Sequence, residues 1–409
     1  MKAEPVKVSP STYWVGANDT EKRLFEGLWA IPEGISYNSY IIKGTEKTVL
    51  IDSVLGAYQE EHLEKIRKVT NPADIDYIVV NHMEHDHSEA LPKVLEAAPK
   101  ATLIYTPMAH QMYKAFFQKE PKNLIIIRND ETTVNLGGKT LRFIRTPFLH
   151  WPETICTYLQ EEKTLFTCDL FGTFRRLPEN KVIDTDIKEL DRYFPSSSKK
   201  YFAGVMTRYR DYVLKTMEKF NQLKIEIKVI APGHGPIYTA ANVKQVMDLW
   251  ASCSRPDYTR KTVIAVGSMY GTTLRFIQAL TKGVEDAGGE AEVIDVINDE
   301  PAKALAAILD APALIIGTAT YEYNLFPQIQ YLLYLLEVKN LTNLTVGVFG
   351  SYAWGAGGAK HLVERLDQLG FHRIGEAVEV RGAPTQEDLE RARSLAKAVT
   401  ENAFHEKGI

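Results

Sequence analysis

Residues 81 to 90 read NHMEHDHSEA: three histidines, two glutamates and an aspartate in ten positions. Side chains of this kind at this density can bind metal ions. They follow IDYIVV, an apolar, β-branched run that predicts a buried strand. The metal-capable groups therefore gather where a core strand emerges into a loop. His82, Glu84 and Asp86 alternate, and Asp86 abuts His87. A chain leaving a strand in extended form points residues i, i+2 and i+4 to one side. A turn at Asp86 and His87 then brings all four side chains around one centre. His85 has the opposite parity and is expected in solvent or behind the ligands.

Three later stretches offer partners. TPFLHWPET places His150 after the strand TLRFIRT, beside Trp151 and Pro152. TLFTCDLFG places Asp169 just past another strand, and IKVIAPGHGPI places His234 after a third. Each sits where a strand meets a loop, the usual place for sites in sheet proteins. The glycines beside His234 would let the backbone pass close to a metal.

A second set of residues has the chemistry of a phosphate and ring site. VIAVGSMYGTTLRF runs strand, turn, helix, with Ser268, Met269, Tyr270, Gly271, Thr272 and Thr273 at the turn and helix start. Hydroxyls, backbone N–H groups and a helix dipole can together hold a phosphate. No GKS or GKT follows and GxGxxG is absent, so this is neither a Walker loop nor a Rossmann fingerprint. GTATYEYNLFP (317–327) supplies Thr320, Tyr321, Glu322, Tyr323 and Asn324 at the end of a further strand. GSYAWGAGGAK (350–360) supplies Ser351, Tyr352, Ala353, Trp354 and Gly355 in the same way.

The elements that must carry these residues fall into two patterns. To about residue 250, short strands (YNSYII, TVLIDS, YIVVNH, TLIYT, NLIIIR, TLRFIRT) mix with helices such as AYQEEHLEKIRKV and HSEALPKVLEAA. That predicts a mixed α/β sheet protein. The polar stretch CSRPDYTRK (253–261) reads as a linker between domains at 1–252 and 260–409. Beyond it, strands TVIAVGS, EAEVIDVI, ALIIGTAT, LTVGVFGS and RIGEAVEV each precede a helix, predicting an open, doubly wound parallel sheet.

Composition narrows the function classes. The chain has 409 residues, 45% hydrophobic and 24% charged, with a net charge of -4. That gives no basic footprint for nucleic acid, and no apolar run is long enough for a membrane span. The N-terminus lacks the apolar core of a signal peptide, so a cytoplasmic protein is expected. Cys156, Cys168 and Cys253 form no CxxC pair and read as inert buried thiols.

On these residues the first half resembles the metallo-β-lactamase fold, whose usual order is HxHxDH, a distant His, an Asp and a final His. Here the motif is HxExDH, with Glu84 at the second histidine. A carboxylate adds charge and hard oxygen ligation, which favours iron over zinc. The same change marks the flavodiiron proteins, and the flavodoxin-like second half completes their two-domain plan. The chain resembles that family over nearly all its length. The loop at 268–273 is similar to the flavodoxin FMN-phosphate loop, T/S-x-T/S-G-x-T, with Tyr270 replacing a small hydroxyl residue. SYAWG resembles a stretch common in the family.

The resemblance implies an N-terminal metallo-β-lactamase-like αββα sandwich followed by a flavodoxin-like five-stranded parallel sheet. It implies one iron held by His82, Glu84 and His150, another by Asp86, His87 and His234, and Asp169 bridging them. It implies FMN in the three later loops, and reduction of dioxygen to water or of nitric oxide to nitrous oxide. No paired CxxC of a rubredoxin module is present. The donor is therefore expected to be external: a rubredoxin-like protein, a reduced deazaflavin or a nicotinamide-linked reductase. A head-to-tail homodimer, or a dimer of dimers, is the expected assembly. Phe25 and Tyr209 are candidate walls of a gas pocket. The rival readings are a zinc hydrolase with a flavodoxin-like appendage and an electron-carrier flavoprotein with structural metals.

Overall fold

The computed structural model describes residues 4–255 and 257–409. Two compact units divide the chain, the first ending at Ser254 and the second beginning at Arg255. The helix Ala241–Ser254 runs two residues into the stretch read as linker, because buried Trp250 anchors its last turn and accepts the Ser254 hydroxyl on its carbonyl at 2.7 Å. Pro256, also in that stretch, lies outside the described residues.

The first unit is an αββα sandwich. One sheet has seven strands, in the order Val6–Lys7, Thr12–Trp14, Tyr40–Lys43, Thr48–Ile51, Tyr77–Val79, Thr102–Tyr105 and Leu124–Ile126. Its outer face is covered by the helices Gln59–Val69, Leu91–Ala97 and Pro107–Phe117, whose Leu63, Ile66, Leu91, Val94 and Tyr113 share a core with Ile41, Leu50, Ile78 and Leu103. The other sheet has six strands, ordered Thr133–Asn135, Thr140–Arg145, Ile155–Leu159, Thr164–Cys168, Val229–Pro232 and Tyr238–Thr239. Tyr40 of the first sheet meets Phe166 of the second ring to ring at 5.1 Å. Its hydroxyl donates to the Pro232 carbonyl at 2.7 Å, so the two sheets are tied near the ends that carry the site.

HSEALPKVLEAA is not one helix but two, His85–Ser88 and Leu91–Ala97. Pro92 sits in the first turn of the second, where a missing N–H does no harm. The run breaks where the Ala90 N–H leaves the helical ladder and donates to the Val54 carbonyl at 3.0 Å. The break lets Asp86 and His87 occupy a separate short turn.

The second unit is a parallel sheet ordered Glu290–Asp295, Lys261–Gly267, Ala313–Ala319 and Thr345–Tyr352, with a split fifth position. RIGEAVEV is read as one strand; the structure makes it two, His372–Arg373 and Val378–Arg381, both parallel to Thr345–Tyr352. Residues 374–377 bulge opposite 347–348, and Gly375 takes a φ of 69° that side chains resist. The closing helix Gln386–Lys407 starts at a capping box of Thr385 and Asp388. It packs on the helix Ile277–Asp286 at Gly283, where a Cβ would lie 2.2 Å from the Arg393 carbonyl oxygen. Among the described residues, no helix is long and apolar enough to cross a membrane.

Candidate functional site

His82 follows the strand Tyr77–Val79 by an extended segment, and Glu84 is the last residue before the helical turn His85–Ser88. That turn swings Asp86 and His87 back toward His82. His150 comes from the loop between Thr140–Arg145 and Ile155–Leu159. Asp169 and His234 leave the parallel neighbours Thr164–Cys168 and Val229–Pro232 at the same end. A register shift between Phe166 and Cys168, and a φ of 47° at Cys168, turn Asp169 inward. Gly233 is required here: a Cβ would lie 2.6 Å from the His87 ring.

The side chains form two groups. Glu84 Oε2 is 2.9 Å from His150 Nε2 and 3.2 Å from His82 Nε2. Asp86 Oδ2 is 3.3 Å from His234 Nε2, and Asp86 Oδ1 is 3.6 Å from His87 Nε2. Asp169 faces both. Its Oδ2 is 3.2 Å from His82 Nε2 and 3.5 Å from His150 Nε2, while its Oδ1 is 3.1 Å from His87 Nε2 and 3.3 Å from His234 Nε2. One oxygen for each group is the geometry of a bridging carboxylate. His85 is exposed, its ring 4.6 Å from Phe116.

These residues fit a pair of metal cations. Both Asp86 oxygens, Asp169 Oδ2 and His234 Nε2 are buried without a well-directed hydrogen bond. Each such atom costs about 1–3 kcal/mol if left unsatisfied. Electrostatics agree. Burial opposes charge on His82 and His234, yet the carboxylates win: Glu153, Glu84 and Asp169 hold His82 well above the usual histidine range. Asp169 and Asp86 push His234 up to about 10. Burial would raise Glu84 and Asp169, but the surrounding imidazoles hold both below the usual carboxylate range. The cage is matched to positive charge, which metal ions supply once the imidazoles are neutral.

In the second unit a cavity of about 270 Å³ opens beyond the carboxyl ends of three parallel strands, where such sheets bind ligands. Ser268, Met269, Tyr270, Thr272 and Thr273 line one side. Thr320 to Tyr323 line a second, and Ser351 to Gly355 a third. Gly271 and Asn324 do not line it. The Gly271 N–H, at φ 85°, donates to the Ser268 hydroxyl at 3.1 Å. Asn324 closes a tight turn on Tyr321 through two backbone hydrogen bonds. Ala319 and Gly382 also line the cavity, without a polar group that marks them in the sequence. Thr273 is buried, its hydroxyl 2.8 Å from that of Ser351, joining the first and third loops. Tyr270, Tyr323 and Trp354 are 96%, 58% and 68% exposed. Aromatic rings left this open at a cavity rim suit a flat stacking ligand.

Comparison with known proteins decides the family. Residues 35–235 match the ODP family beta lactamase and residues 264–395 match flavodoxin. A nitric oxide reductase of Moorella thermoacetica is 31% identical over 403 residues, covering 97% of this chain and 98% of its own. A flavo-diiron protein of Clostridium acetobutylicum is 30% identical over 394 residues, covering 95% and 96%. The chain belongs to the flavodiiron family. The solved structure of rubredoxin oxygen:oxidoreductase from Desulfovibrio gigas matches it with a TM-score of 0.92 at 26% identity, covering 99% of this chain and 100% of that one.

Around the candidate ligands, this flavodiiron protein carries residues that no motif marks. The Tyr201 hydroxyl donates to Asp169 Oδ1 at 2.9 Å from the end of the helix Leu190–Tyr201, just before a wide helical turn at Phe202–Met206. Asp52, fully buried, accepts from the Asn81 N–H at 2.6 Å and its side-chain amide at 3.0 Å, which fixes the residue before His82. Burial pushes Asp52 up to about 6 against these bonds. Glu153, three residues after His150, accepts from His82 Nδ1 at 2.6 Å. Phe25 lies edge-on to the His234 ring at 5.2 Å, and Trp151 to the His82 ring at 5.0 Å. Tyr209, the other candidate wall, stacks on Phe148 at 5.9 Å. Glu153 and Asp52 leave a trace in the sequence, as charges beside a ligand or at a strand end. Tyr201 leaves none.

Proposed function

We propose that this flavodiiron protein reduces dioxygen to water, nitric oxide to nitrous oxide, or both. His82, Glu84 and His150 would hold one iron, Asp86, His87 and His234 the other, and Asp169 would bridge them. The observation that carries the reading is the placement of the two Asp169 oxygens, one toward each group, beside a carboxylate at Glu84. When bound, the iron pair and FMN supply the redox chemistry, with electrons entering through the flavin. The chain's own residues do the rest. The Tyr201 hydroxyl holds the bridging carboxylate in place. The rings of Phe25 and Trp151 flank the histidines and keep bulk water off them, which suits small uncharged gases. The loops after Gly267, Ala319 and Tyr352 would take the FMN phosphate and ring.

The relative named for rubredoxin supports a rubredoxin-like donor, with deazaflavin or nicotinamide-linked reductases as the other classes. A head-to-tail homodimer or dimer of dimers is the proposed assembly, and the open aromatic rim of the cavity supports a protein surface there. Zinc hydrolysis is the poorer reading, because neither the carboxylate at 84 nor the flavodoxin unit serves it. Elemental analysis and acid extraction of protein from its native host should give two irons and one FMN per chain. Two zincs without flavin would end the proposal.

A further inference from the structure

We propose that Glu153 is a positioning residue that makes the two metal sites unequal: the position of His82, Glu84 and His150 is the more electron-rich and the slower to exchange. The proposal rests on the two-metal reading above. Glu153 is 3% exposed, and its Oε1 accepts from both His82 Nδ1 at 2.6 Å and the Met83 N–H at 3.0 Å. Its loop is closed on itself, the Thr146 N–H donating to the Thr154 carbonyl at 2.9 Å and the Phe148 N–H to the Trp151 carbonyl at 2.7 Å. The Thr106 hydroxyl pins the Glu153 carbonyl at 3.1 Å. One short loop thus supplies a ligand, His150, and orients a second ligand, His82, of the same metal.

The other position is built differently. His234 Nδ1 donates to the Ser36 carbonyl at 2.7 Å, a neutral acceptor. His87 Nδ1 is buried with no hydrogen-bond partner. Asp52, another buried carboxylate, interacts with His87 through charge alone, because its oxygens take the Asn81 amides rather than a ligand ring. An imidazole that donates to a carboxylate is a more basic, better oriented ligand than one that donates to a carbonyl or to nothing. A purely structural clamp would not need charge. Glu153 Oε2 is buried with no hydrogen-bond partner, so a neutral glutamine would fill the place at lower desolvation cost. Retaining the anion there makes sense if its charge acts through the His82 ring.

The test loads the full chain anaerobically with ferrous iron, adds excess EDTA, and follows iron release. Wild type should lose iron in two phases of equal size. His87→Ala, which removes a ligand from the second position only, should keep iron that leaves at the slow rate. Glu153→Gln should speed the slow phase roughly tenfold to a hundredfold and leave the fast phase alone. The midpoint potential of the iron at that position, followed by EPR, should also rise in Glu153→Gln. Release of the iron in His87→Ala at the fast rate would overturn the proposal whether or not Glu153→Gln folds. So would a folded Glu153→Gln with unchanged slow phase and potential. The same experiment with zinc reads the asymmetry even if iron proves to be the wrong metal, so its failure is separable from that of the proposed function.

Discussion

Asp169→Ala should strip the chain of most of its metal and take gas reduction below about a hundredth of wild type, while FMN stays bound. This is the largest effect expected from one substitution, because among the described residues no other side chain faces both groups. Its oxygens lie 3.1 Å from His87 Nε2 and 3.2 Å from His82 Nε2, so on the proposed arrangement its loss would remove one anionic ligand from each metal. Changes behind the ligands typically cost tenfold to a hundredfold in affinity or activity, and loss of a shared ligand should exceed that. The substitution also strands the Tyr201 hydroxyl, a buried donor worth about 1–3 kcal/mol if unsatisfied. The cavity of the second unit is built from other residues, so extracted flavin should remain at one per chain. Normal turnover in this variant would show that Asp169 does not hold the metals.

Glu84→His should move the site toward zinc and remove redox turnover. The Glu84 carboxylate sits 2.9 Å from His150 Nε2 and 3.2 Å from His82 Nε2, in the middle of one group. An imidazole there replaces a hard anion with a neutral, softer ligand and restores the HxHxDH pattern. Metal analysis should show a raised ratio of zinc to iron, with FMN unchanged and gas consumption at background. Full iron with full activity would refute the role assigned to Glu84.

The clustering of the seven candidate ligands could be read from the sequence because they are local or anchored to strand ends. His82 to His87 lie within six positions, and His150, Asp169 and His234 each follow an apolar run whose end must meet a loop. The three loops around the cavity were legible for the same reason. What supports these candidate ligands was harder to see. Tyr201 reaches Asp169 only because a helix of the first unit ends beside it, a tertiary fact with no local signature. Asp52 and Asn81 meet across neighbouring strands, and nothing in either segment alone names the other. Gly271 and Asn324 have the residue types of ligand contacts, but their backbones are used to close turns. The fifth strand of the second sheet looked continuous because its apolar residues do not reveal the bulge at Gly375.

Flavin and iron pair are proposed to work together on a gas. The decisive measurement reduces the protein fully without oxygen, mixes it with dioxygen in a stopped-flow instrument, and follows flavin reoxidation and products. Rapid reoxidation is expected, lost in iron-free, FMN-loaded protein, with water and no free hydrogen peroxide formed. Reoxidation at the same rate without iron, with peroxide accumulating, would contradict it.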